Sequence, residues 1–457
     1  MAGISIELKK LIKDRSISKL FLALGYSTAL SSGNWILAVG VIFVFSLLGA
    51  AIFGRGERSI IYQVYITYTV ALSLIISGPL QLMFTRYVAD RIFEKEEERI
   101  LPNFIGSVVL AAISGFAVAL ALSFYLFKGL AYYYHLVFAF TVATLSAVWV
   151  SNSLLAGLKK YWYIFVAFTL SYFLAGVLFL ITFKQPLVVS FFGFYISQFI
   201  LLLLLLYRVL LDYPSYKVLE FDFLNPRRSY YSLALTGFFY NLGVWVDKFV
   251  FWFSPMTGDP LFANIRTSVV YDIPIILSYM SIIPGLAVFF LKTEAEFAER
   301  YDEYYDAVRN FGSLQQLYFF ANKMILSVRD AFYDTLRIQL VADVGIYFFE
   351  LPIFYLLKLP PLYIPLFNIL LVGATLQLLF MVLFTLFSYY DRKKTLAILT
   401  GLFALLNAIL SALSQYLGPY YYGYGYTVSL LIVVILGMII LSRFLNEIHY
   451  RTFMIKE

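Results

Sequence analysis

Cysteine is absent from this chain and histidine nearly so, with only His135 and His449. That excludes disulfides, thiolate metal sites and a cysteine nucleophile, and leaves little for imidazole chemistry. Charge is sparse, at 13% of residues against 62% hydrophobic, with a mean hydropathy of +0.83. A soluble globular domain is apolar over roughly half its residues, so this composition is that of an integral membrane protein. No HExxH, nucleophile elbow or glycine-rich phosphate loop occurs, and no segment between apolar runs is long enough to hold a soluble catalytic domain. The expectation is no enzyme, no cofactor and no metal. The formal charge of +7 would suggest nucleic acid in a soluble chain, but here it follows from loop asymmetry, and no nucleic-acid partner is expected.

What is present is a series of apolar runs. A bilayer core of roughly 30 Å takes about 20 residues of helix. Twelve such runs occur: Phe21 to Phe53, Ile60 to Val88, Phe104 to Leu126, Leu130 to Leu155, Tyr161 to Phe183, Leu187 to Tyr207, Ser232 to Phe253, Thr267 to Leu291, Ile338 to Leu357, Ile364 to Phe387, Leu396 to Leu417 and Tyr426 to Leu445. With both termini cytoplasmic, Arg55, Arg58, Lys128, Lys184, Arg266 and Lys358 fall outside, Lys248 lies within a span, and the other 27 of 34 basic residues fall inside. Basic residues resist translocation, so this bias orients the chain. The predicted fold is an all-α polytopic membrane protein of twelve helices in two pseudo-symmetric six-helix lobes.

The expected divisions are an interfacial amphipathic helix over residues 1–19, an N-lobe over 20–208, a cytoplasmic linker over 209–231 and a C-lobe over 232–457, with a cytoplasmic amphipathic segment at about 292–337. A weak repeat supports two lobes, since LSSGNWILAV and YNLGVWVDKF align Gly33 with Gly243 and Trp35 with Trp245. Six helices in each half make a parallel repeat, whose halves can rock about a cavity. In the 292–337 segment, Phe297, Tyr301, Tyr304 and Tyr305 recur at helical spacing among Glu299, Asp302, Glu303 and Asp306. A solvated surface helix is the plain reading; a docking face for a cytosolic partner, carried by Glu299, Tyr301, Asp302, Glu303 and Asp306, is the sharper one.

Charges inside spans are costly and are the default functional candidates. These are Asp247 and Lys248 in the seventh span, Asp272 in the eighth, and Asp343 and Glu350 in the ninth. Adjacent residues on a helix point about 100° apart, so Asp247 and Lys248 are not expected to be each other's main partner. Tyr240 shares a face with Asp247, and Asn241 and Trp245 share one with Lys248. In the first span Ser27, Ser31 and Asn34 form a polar stripe beside Trp35; in the fourth, Ser146, Trp149, Asn152 and Ser153 form another. Such stripes often serve helix packing. Tyrosines cluster at 132–134 and 420–426, at predicted outer interfaces, either as an aromatic belt or as stacking surfaces for sugar rings.

MAGISIELKKLIK at the start, LSSGNWILAVG in the first span, FYNLGVWVDKFVFW in the seventh and YDIPIILSYMSIIP in the eighth together resemble the PelG family of Pel exopolysaccharide export proteins, over essentially the full length. Asn34 departs from that family's SSGPW-like segment, where proline is expected. The resemblance implies the multidrug, oligosaccharidyl-lipid and polysaccharide exporter (MOP) superfamily, a bacterial inner-membrane location and a role in biofilm matrix. It also implies a partly deacetylated, N-acetylhexosamine-rich polymer as substrate, and as partners membrane lipid, a cytosolic glycosyltransferase, a cyclic-di-GMP-binding membrane regulator and a further membrane protein. The competing readings are a lipid-linked oligosaccharide flippase or drug antiporter on the same fold, and a non-conducting scaffold for the polymerase.

Overall fold

The computed structural model describes residues 33–54, 56–225 and 229–454, with the side chains of 33–39 and 50 excepted. The expected helix at 1–19, and Ser27 and Ser31, lie outside the described residues, as do the side chains of Asn34 and Trp35. Contacts divide the chain into two compact units, one over Gly33–Ser268 and the other from Val269 onward.

The first unit holds α1 (Gly33–Phe53), α2 (Gly56–Phe93), α3 (Ile100–Leu126), α4 (Tyr132–Gly157), α5 (Tyr161–Ile181), α6 (Leu187–Asp212) and α7 (Tyr231–Phe253). A hairpin follows, β1 (Asp259–Phe262) antiparallel to β2 (Ile265–Thr267). Its core is aromatic: Tyr65 stacks on Phe191 at 3.8 Å, Tyr62 on Phe179 at 4.2 Å and Tyr68 on Trp252 at 4.6 Å. Rings bury large apolar areas with few rotatable bonds, which suits a bundle surrounded by lipid rather than water. The Tyr68 hydroxyl also donates to the Arg266 carbonyl at 2.8 Å, pinning the hairpin to α2.

Residues 209–225 are packed against the first unit rather than slack. Phe223 is fully buried beside Phe84 and Tyr87. The Glu220 amide donates to the Pro102 carbonyl at 3.1 Å, and Arg99 pairs with Asp222 at 3.4 Å. A Cβ on Gly106 would stand 2.1 Å from the Glu220 carbonyl oxygen, so α3 needs glycine there for the strap to lie against it. The expected lobe boundary fell on this segment, whereas the contact division falls after Ser268, because α7 packs on α2.

The second unit holds α8 (Val269–Ser281), α9 (Ile283–Leu291), a π-helical turn over Lys292–Phe297, α10 (Ala298–Arg309), α11 (Leu314–Leu356), α12 (Ile364–Tyr389), α13 (Lys393–Leu417), α14 (Tyr424–Asn446) and α15 (Ile448–Met454). The chain bends by 41° between α8 and α9, with Pro284 in the first turn of α9, the position proline tolerates best.

The ninth helix corrects the sequence reading. The apolar run begins at Ile338, but α11 begins at Leu314 and runs for 43 residues. Ser313 and Gln316 form a reciprocal capping box at its start. Leu317, Ala321, Met324, Val328, Ala331 and Thr335 form a buried stripe along its first half. The segment expected as a separate surface helix is therefore an antiparallel hairpin of α10 and α11, each continuous with a membrane helix. Lys292 clamps its base, reaching both Glu296 and Asp334 at 2.8 Å.

Among the described residues, nine helices are long and apolar enough to cross a membrane, or ten if the bent pair of α8 with Ile283–Arg309 is one span. Helix α7 is not among them, because Asn241, Asp247 and Lys248 dilute its apolarity.

Candidate functional site

Helices α2 and α7 cross with their backbones in contact. A Cβ on Gly237 would stand 2.0 Å from the Gly78 carbonyl oxygen, and one on Gly78 would stand 2.6 Å from the Gly237 carbonyl oxygen. Small residues allow such approaches between membrane helices. Asn241, one turn on from Gly237, donates to the Gly237 carbonyl at 2.9 Å, so its amide caps the crossing.

Three turns from the crossing lie Asp247 and Lys248, both buried. The Lys248 ammonium donates to the Val244 carbonyl at 2.8 Å, lies 3.3 Å from both Asp247 carboxylate oxygens and sits 5.6 Å from the Trp245 ring centroid. The two residues do touch, although neighbours on a helix were not expected to be each other's main partner. Cβ directions do diverge by about 100°, but a four-carbon stem can fold back along the helix and bring the ammonium to its neighbour. Tyr240 is half-buried on the same helix.

A polar ladder on α2 escaped the sequence reading. Ser77 donates to the Ser73 carbonyl at 2.6 Å, Gln81 to the Ser77 hydroxyl at 2.9 Å and Thr85 to the Gln81 carbonyl at 2.7 Å. The Trp149 indole of α4 donates to the Ser73 hydroxyl at 2.9 Å, and the Ser153 and Thr85 hydroxyls lie 3.2 Å apart. The ladder therefore joins the fourth-span stripe. Its signal is a polar residue every four positions through an apolar run.

In the second unit, Gln339 of α11 donates to one Asp343 carboxylate oxygen at 2.7 Å and to the Ser281 carbonyl at 3.1 Å, while Thr375 of α12 donates to the other carboxylate oxygen. Ser281 ends α8, so this membrane-embedded carboxylate is assembled at the break in the eighth span. Glu350 is half-buried two turns on, and Asp272 lies in the first turn of α8. The anion beside Lys248 is Asp247 of its own helix, whereas Asp343 is held by neutral donors.

The aromatic face of α10 turns inward. Phe297 and Tyr304 are fully buried, Phe297 lies 5.2 Å from Tyr389, and the Tyr301 hydroxyl donates to the Tyr389 carbonyl at 2.9 Å. Tyr304 donates to Thr452 of α15 at 3.4 Å. Rings of Tyr304 and Tyr318 enclose His449, whose imidazole burial holds below its usual range. Asp302 and Asp306 stay exposed, while Glu299 and Glu303 are half-buried and Glu303 pairs with Arg300 at 2.9 Å. Tyr301 therefore packs α10 against α12, and the acidic edge is what α10 presents outward.

Residues 1–453 match the family model PelG, "Putative exopolysaccharide Exporter (EPS-E)". No curated protein matches. Among solved structures, an outward-facing multidrug resistance MATE family transporter of the MOP superfamily is similar with TM-score 0.64 at 16% identity, over 93% of this chain and 96% of the other. A MOP superfamily transporter from Pyrococcus furiosus is similar with TM-score 0.64 at 15% identity, over 92% and 96%. A MATE transporter in a straight conformation gives 0.61 at 14%, over 92% and 96%. At these identities the likeness establishes the fold, that of a multi-pass membrane transporter.

Proposed function

This chain belongs to the PelG family of exopolysaccharide exporters, and from that premise we infer that it passes an N-acetylhexosamine-rich polymer outward across the bacterial inner membrane as a cytosolic glycosyltransferase extends it. The full-length family match carries this reading, and the MATE-like fold supports it. In this reading the chain has twelve spans with both termini cytoplasmic, α1 and α7 supplying the two beyond the ten that length and apolarity single out. A membrane-associated cyclic-di-GMP-binding regulator is the expected controlling partner, and the acidic edge of α10 the expected cytosolic contact. No nucleotide-binding motif occurs, so the driving force would be an ion gradient, the membrane potential or the growth of the polymer itself.

In a host that has the polymerase but lacks this protein, expressing the chain should restore secreted polymer, read by an N-acetylhexosamine-specific lectin on the culture medium. Restored resistance to cationic drugs with no polymer would point to an antiporter instead. For orientation, single substitutions Lys128→Cys, Lys184→Cys, Lys159→Cys and Lys393→Cys in this cysteine-free chain separate the two faces. An impermeant maleimide should label the first two in intact spheroplasts and the last two only after lysis.

Within this function Asp343 is the proposed gating or coupling carboxylate, because a charge inside a span is retained at a cost and here sits at a helix break, held among the described residues by the neutral donors Gln339 and Thr375. Asp343→Asn keeps the shape and removes the charge. Polymer export should fall at least about tenfold, with protein accumulation unchanged. Export at the unsubstituted level would remove Asp343 from the pathway.

A further inference from the structure

Helix α11 is the least covered of the membrane-length helices. Only 11% of its apolar window is buried, against at least 33% in each of the others. The exposed side has a repeat: Phe319, Leu326, Tyr333, Leu340 and Tyr347 stand seven residues apart, each 48–63% exposed. Apolar residues seven apart stay on one face of a helix and form a seam along which a second helix can pack.

Lipid accounts for only part of this seam. The run Ile338 to Leu357 has the length of about 20 residues that a bilayer core requires, and charges begin at Arg337. At about 1.5 Å per residue, Leu326 lies ~16 Å and Phe319 ~27 Å along the helix beyond Arg337, whereas the headgroup layer is only about 5–8 Å deep. Leu340 and Tyr347 can face acyl chains, and Tyr333 the headgroups. Leu326 and Phe319 lie past any lipid, as do the exposed Phe311 and Leu314 at the hairpin tip.

The charges beside the seam select the occupant. Lys323, Arg329 and Arg337 flank it, against Asp330, because Asp334 is engaged by Lys292. Arg329 and Arg337 have no ionic partner among the described residues. Arg329 sits between Leu326 and Tyr333 on the seam itself. A second copy related by a two-fold axis along the membrane normal would set Arg329 against Arg329, which opposes self-association. A helix with acidic flanks would instead answer the three cations.

We propose that the exposed face of α11 is the docking seam for one helix of a second protein, apolar at seven-residue spacing and flanked by Asp or Glu, which runs beside α11 from the bilayer boundary to the hairpin tip. This is a surface distinct from the acidic edge of α10, and it does not depend on what the protein transports.

The test is photocrosslinking in the native membrane, with benzoylphenylalanine placed singly at positions 319, 326 and 333, and at 324 and 328 on the buried face. The proposal expects adducts at the first three positions that map by mass spectrometry to one helix of one protein, and none at 324 or 328. In an Arg329→Glu, Arg337→Glu variant the adduct at 326 should drop about tenfold, and placing Lys at the mapped acidic positions of the partner should restore it. Adducts with lipid alone, adducts of twice the chain's mass, adducts unaffected by charge reversal, or no adduct at any of the three positions would each overturn it.

Discussion

Gly237→Val should abolish accumulation of folded protein, while Gly40→Val leaves it near the unsubstituted level. The two positions differ in what a side chain would meet. At Gly237 the first added carbon stands 2.0 Å from a backbone oxygen of Gly78, which cannot rotate away, whereas nothing among the described residues lies within 4 Å of a Cβ at Gly40. Overpacking against movable side chains typically costs about 1–3 kcal/mol, and a contact with backbone lies at or above the top of that range. Destabilisation of that size changes abundance several-fold or more in cells. Fluorescence-detected gel filtration of a tagged protein, with a heating series, reads both effects. A monodisperse Gly237→Val peak melting within a degree or two of the parent would mean that α2 and α7 do not touch at this point.

Asp247→Asn and Lys248→Met should each destabilise the protein strongly, and the double variant should be substantially more stable than either. Breaking a buried ion pair by removing one member costs about 3–5 kcal/mol, whereas replacing both removes the desolvation penalty along with the attraction. Both side chains are buried and their charged groups lie 3.3 Å apart. Accumulation and apparent melting temperature measure this recovery. If the pair also acts in transport, the double variant should accumulate normally and still secrete at most about a tenth of the parent's polymer. Equal stability of all three variants would mean that the two groups do not act as a pair.

The outline of this fold was legible because a bilayer permits so few solutions. Backbone polar groups must be paired within each span, so α2 to α6 and α12 to α14 announce themselves as apolar runs within a few residues of their bounds. The start of α11 was not legible by hydropathy, since Lys323, Arg329, Asp330 and Asp334 break the apolar window, although the buried stripe from Leu317 to Thr335 keeps its phase into the membrane. Asp247 and Lys248 stood out as intramembrane charges, but their pairing depends on how a long side chain folds. The Gly78–Gly237 contact had no sequence signal, because two glycines far apart in the chain reveal nothing of their spatial proximity. The 209–231 segment was read as a linker because polar, proline-containing segments usually are, and Phe223 was the residue that signalled its packing against α2.

From Leu314 to Val344 the sequence of α11 contains neither glycine nor proline, and both return just beyond, at Gly345 and Pro352. Mechanically this is a stiff rod with a compliant joint placed after Asp343 and not before it. The rod spans about 44 Å between the hairpin tip and that carboxylate, at ~1.5 Å per residue. Torque applied at the tip is delivered to Asp343 with little loss, since an uninterrupted helix twists and bends only as a whole. Gln339 and Thr375 grip the carboxylate from different helices, Gln339 turning with α11 and Thr375 staying with α12. Axial rotation would leave the Gln339–Asp343 bond intact while shearing both the Thr375 bond from α12 and the bond from Gln339 to the Ser281 carbonyl of α8, so a turn of the hairpin would be felt inside the second unit at these two contacts.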